Sequence, residues 1–146
     1  MKLFLLVVTI LLLLSRIKNT PRQLSKTIYF AKLREALEKQ KVEKEKQGEE
    51  NYKALQGVAI LIVILLDIFF VVYYLLVGNR FSSDVTMLVL SAIQIITVFI
   101  TLKKAFNEKI MLSENIEDYK FYRFYFLFNV ILDYIYYPLT IYMLMK

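Results

Sequence analysis

Residues 57–77, GVAILIVILLDIFFVVYYLLV, decide how the chain is read. The stretch is 21 residues long, and its one charge, Asp67, lies at its centre. At about 1.5 Å rise per residue it matches the ~30 Å hydrocarbon core of a bilayer. An Asp at the bilayer centre costs about 2.5–3.5 kcal/mol. The sixteen Val, Ile, Leu and Phe residues of 58–77 offset that cost at about 0.3–0.6 kcal/mol each, so insertion wins. The stretch predicts a transmembrane helix whose Asp needs a partner.

Composition agrees with an integral membrane protein. Hydrophobic residues make up 58% of the 146-residue chain, above the roughly 45–50% of soluble domains. There is no Cys and no His, which excludes disulfides, thiolate nucleophiles, His bases and the usual zinc sites. No metal or cofactor is expected. The net charge of +6 sits beside hydrophobic spans, the ordinary pattern of cytoplasmic membrane loops, so nucleic acid is not expected as a partner.

Residues 3–14, LFLLVVTILLLL, also suit a signal-peptide core in length. Leu13 and Ser15 make a poor small-x-small cleavage site, however. Cleavage would also place outside a segment with eleven Lys and Arg between Arg16 and Lys53, against the positive-inside rule. Residues 1–16 are therefore read as a retained anchor with its N-terminus outside, and 17–56 as cytosolic. Thr20-Pro21-Arg22-Gln23 fits a capping box, predicting a helix over 20–47. Tyr29, Phe30, Leu33, Ala36 and Leu37 recur at helical spacing on one face. With Lys26 and Lys32 they describe a basic amphipathic helix that lies on an anionic lipid surface or docks a protein. Glu35 and Lys39 form an i, i+4 pair of the favoured polarity. Residues 47–51, QGEEN, read as a linker.

Residues 78–84, GNRFSSD, read as an external turn, 85–102 as the next span, and 103–123, with five Lys and Arg, as cytosolic. Residues 113–115 are expected to end one helix and cap the next. Residues 124–145 form the last span. The fold class is thus all-α and multi-pass. It has four transmembrane helices, three of them (57–77, 85–102, 124–145) in a bundle over 57–146, plus the cytosolic amphipathic helix. The chain is placed in the cell membrane with both termini outside. The last span is the least self-sufficient. Its eleven Val, Ile, Leu and Phe residues stand against Asn129, Asp133 and Pro138. Pro138 frees the carbonyl of Tyr134, so this helix is expected to insert by packing against others.

Counting from the cytosolic boundaries puts Asp67, Gln94 and Asp133 all about 14 Å deep. Asn129, Asp133, Tyr136 or Tyr137 and Thr140 share one side of the last span. Ser91, Gln94, Thr97 and Thr101 share one side of the third. Asp67, Gln94, Asn129, Asp133, Tyr136 and Tyr137 therefore form a candidate intramembrane polar site. No Lys or Arg lies in the central parts of these spans, so the carboxyls are expected to lack a cationic partner. The site suits hydrogen-bond glue, recognition between chains, or reversible proton or monovalent cation binding. Two aspartates can imitate a protease dyad, but neither stands in a catalytic motif, and no enzyme is expected. The reading is a non-enzymatic accessory, regulatory or immunity-type subunit, with the bilayer and a membrane-protein partner or second copy as its contacts. The alternative is a proton- or cation-coupled conduit or a holin-like pore.

Overall fold

The computed structural model describes residues 1–105 and 120–146, and these are helical almost throughout. Five helices follow in order: α1 (Lys2–Leu24), α2 (Lys26–Gln47), α3 (Glu49–Arg80), α4 (Val85–Ala105) and α5 (Lys120–Met145). Four are long and apolar enough to cross a membrane, over Lys2–Pro21, Glu50–Arg80, Val85–Lys103 and Arg123–Met145. The expected helix break at 113–115 lies outside the described residues.

Three boundaries differ from the sequence reading. The Thr20 capping box does not form. α1 runs on through Pro21 to Leu24, and the Thr20 hydroxyl donates to the Arg16 carbonyl at 2.7 Å, inside the helix. Ser25 caps α2 instead, its Oγ accepting from the Ile28 amide at 3.4 Å. The anchor read as 1–16 is therefore one helix with the residues that follow it. The linker at 47–51 shrinks to Gly48, whose φ of +76° suits glycine and lets α2 turn directly into α3. The turn at 78–84 is also shorter, because α3 continues to Arg80. Asp84 then starts α4, its Oδ1 accepting from the Met87 amide at 3.1 Å.

α3 and α4 form a close antiparallel hairpin. Gly78 is buried there, and a Cβ at that position would meet the Ser91 Cβ at 3.3 Å. α1 packs on α5, and α4 joins the two pairs by packing on α5. α1, α3, α4 and α5 thus make a four-helix bundle whose outer faces carry exposed Leu, Ile, Val and Phe. α2 leaves the end of the bundle where α1 stops and α3 starts. It buries no residue. Its expected apolar face covers only the first half of the helix: Tyr29, Phe30, Leu33 and Leu37 are half-buried, while Ala36, Lys26 and Lys32 are exposed.

Candidate functional site

The inner half of the bundle distant from α2 is filled by two tyrosine doublets. Tyr73 and Tyr74 on α3 and Tyr136 and Tyr137 on α5 are each at most 3% exposed. Their rings meet edge to face, with Tyr74 and Tyr136 at 5.3 Å between centroids. Each hydroxyl has a partner. Tyr73 bonds Thr9 of α1 at 2.7 Å, Tyr74 bonds Tyr137 at 3.0 Å, and Tyr136 bonds Ser91 of α4 at 3.0 Å. These bonds tie all four bundle helices together.

Toward α2 the packing opens into a cavity of about 300 Å³. Each bundle helix gives it one stripe at three- to four-residue spacing. α1 contributes Leu12, Ser15, Arg16 and Asn19. α3 contributes Asp67, Phe70 and Tyr74. α4 contributes Gln94, Thr97, Val98 and Thr101, and α5 contributes Asn129, Asp133 and Tyr137. Tyr74 and Tyr137 belong to both regions, so the tyrosine layer is the floor of the cavity.

Asp133 is the most enclosed charge in this cavity, its side chain 3% exposed. Gln94 Nε2 donates to Asp133 Oδ1 at 2.9 Å, and the Arg16 guanidinium ion-pairs with Oδ2. This overturns, for Asp133, the expectation that the carboxyls lack a cation. Arg16 follows the apolar run of 3–14 and was assigned to a boundary. Because α1 continues past it, the side chain turns into the bundle rather than out of it. The guanidinium also lies 5.9 Å from the centre of the Phe126 ring. Asp67 differs: its Oδ2 is buried without a hydrogen-bond partner, as is Asn129 Oδ1.

Of the six expected interior site residues, Asp67, Gln94, Asn129, Asp133 and Tyr137 line this one cavity. Tyr136 lies in the layer beneath, on Ser91. The sequence reading missed Arg16, Thr9, Tyr73 and Tyr74. The signal for the tyrosines was present, since a Tyr-Tyr doublet recurs in both α3 and α5. The α2 residues Tyr29, Phe30, Leu33, Leu37, Lys26 and Lys32 stand apart from the cavity. Tyr29 and Phe30 meet edge to face at 5.3 Å. Burial pushes the Tyr29 phenol up, and the Arg123 guanidinium pulls it partly back. Lys39 donates to Glu35 at 2.8 Å in the expected i, i+4 pair and holds that carboxyl below its ordinary range. Among the described residues no group of three or more acidic, His or Cys side chains is placed to hold a metal ion. No known family, curated protein or solved structure matches the chain.

Proposed function

We propose that the chain is a multi-pass protein of the cell membrane that acts by binding, as a non-enzymatic accessory or regulatory subunit. In this reading α1, α3, α4 and α5 span the bilayer. The basic α2 lies on the cytosolic side, and both termini are outside. Support comes from the bundle's inverted polarity: large apolar side chains cover its outer faces, while Asp133, Gln94, Ser91 and Thr140 are buried within. Lipid is the solvent that makes such an arrangement favourable. Cysteines introduced at Ser25 and Ser82 test the topology, because the chain has no native Cys. In intact cells a membrane-impermeant maleimide should label position 82 and spare position 25; the reverse pattern discards the orientation.

The observation that carries the binding role is α2, a 22-residue helix with no buried residue attached to the end of the four-helix bundle. It presents a partner or an anionic lipid surface with a short apolar stripe flanked by lysines. Leu33→Asp with Leu37→Asp should abolish co-purification of the membrane partner in mild detergent and leave the bundle folded. An unchanged partner set rejects α2 as the docking element.

A conduit for protons or small cations is the second reading, favoured by the unpartnered Asp67 Oδ2 and Asn129 Oδ1 in the cavity. Tyr74 and Tyr137 line the cavity and are buried, so this reading requires the tyrosine layer to let ions pass. Proton or sodium flux in proteoliposomes that is lost in Asp67→Asn supports it, and absence of flux in the unaltered protein removes it.

A further inference from the structure

Two oxygens in the walls of the cavity are buried without a hydrogen-bond partner. Several donors are committed: Gln94 Nε2 and the Arg16 guanidinium hold Asp133. The hydroxyls of Thr97 and Thr101 donate to the carbonyls of Gln94 and Thr97 at 2.8 and 3.0 Å. Asn19 Nδ2 donates to the Ser15 carbonyl at 3.0 Å. The two unpartnered oxygens, Asp67 Oδ2 and Asn129 Oδ1, are both buried acceptors. Charge leans the same way. Arg16 and Asp133 cancel, and Asp67 leaves one formal negative charge on the lining. A buried acceptor without a donor is unfavourable, so a guest that supplies N–H donors and positive charge together satisfies both oxygens and offsets the charge.

The same α3 stripe sets the shape of that guest. Phe70 and Tyr74 follow Asp67 by three and seven residues, and their rings stack at 6.3 Å between centroids. They give an apolar wall one and two turns from the carboxylate, suited to an alkyl stem and to a cation near a ring face. A hard divalent ion asks for about six or more oxygens, whereas two unpartnered ones are present. We propose that this cavity is a binding site for a primary ammonium group on a short alkyl stem. Its N–H donors bond Asp67 Oδ2 and Asn129 Oδ1, and its charge balances the Asp67 carboxylate. The chemistry is shared by free small amines and by the ethanolamine headgroup of a lipid. It rests on the cavity alone and stands or falls independently of α2 as a docking element.

The test is calorimetric titration of the full chain in phosphatidylcholine nanodiscs, where the lipid headgroup has no N–H. Propylammonium should bind saturably at millimolar concentration or below. Tetramethylammonium, equally charged but without N–H, should neither bind nor compete. Asp67→Asn should weaken propylammonium at least tenfold and Asn129→Leu severalfold. Both variants are checked for folding by gel filtration, and Asp67→Asn removes a charge that opposes insertion. In nanodiscs containing phosphatidylethanolamine, a fall in apparent propylammonium affinity identifies the lipid headgroup as the occupant. An unchanged affinity identifies a free amine. Absence of saturable binding, equal binding to the Asp67→Asn protein, or competition by tetramethylammonium or sodium as strong as by propylammonium overturns the proposal.

Discussion

The two halves of the bundle interior are built from the same polar material and settle it differently. In the tyrosine layer each tyrosine hydroxyl meets another hydroxyl and the rings pack edge to face. In the cavity half an ion pair and an amide are satisfied around Asp133, while Asp67 and Asn129 keep buried oxygens unpaired. Polar groups inside a bundle hold it together when complete and mark a place for something else when incomplete. The first half should therefore respond to loss of volume and the second to loss of charge balance.

Arg16→Leu gives the largest expected effect. It leaves Asp133 enclosed without its cation, and breaking a buried pair by removing one partner costs about 3–5 kcal/mol. Because α1 is joined to α5 through this pair, the N-terminal helix should loosen first. Arg16→Leu with Asp133→Leu should recover most of the loss, since two apolar residues replace a pair whose net contribution is small. Thermal unfolding in detergent of the three proteins reads the result. A double variant no more stable than Arg16→Leu would show that Arg16 acts through packing on Phe126 rather than through charge.

Tyr136 separates volume from hydrogen bonding in the other half. It is wholly buried, at the centre of the ring contacts. Tyr136→Ala should cost about 3 kcal/mol through the cavity it opens. Tyr136→Phe removes only the bond to Ser91 and should cost about 0.6 kcal/mol, as hydrogen bonds between membrane helices do. Equal losses in the two variants would mean that the hydroxyl, not the ring, holds the layer.

The same contrast explains what could be read in the chain beforehand. Hydropathy marks all four long apolar helices, and the 3.6-residue period brings Ser91, Gln94 and Thr97, and Asp133, Tyr137 and Thr140, to inward faces, where they are buried. Depth counting puts Gln94 level with both Asp67 and Asp133, and it is bonded to Asp133. Arg16 was illegible for a local reason. The apolar run of α1 ends before it, a Pro follows at position 21, and both signals argue for a boundary. Packing of α1 against α5 carries the helix through both. Its charge then belongs to the interior, and the choice of Asp133 over Asp67 as its partner is a tertiary fact with no trace in spacing.

The smallest expected effect sharpens the comparison between the two aspartates. In Asp133→Asn the amide keeps a group for Gln94 but abandons the Arg16 guanidinium, so about 1–3 kcal/mol of stability should go. In Asp67→Asn no such debt arises. The Oδ2 that changes has no hydrogen-bond partner, the side chain is only half-buried, and the amide removes a charge from an apolar setting. Stability should stay within about 0.5 kcal/mol of the unaltered protein or rise, because the desolvation cost of the carboxylate disappears while no bond within the chain is lost. Chemical unfolding of the two Asn variants side by side measures the difference. An Asp67→Asn protein as unstable as Asp133→Asn would show that Asp67 holds the fold. An unaffected one confines its carboxylate to whatever enters the cavity.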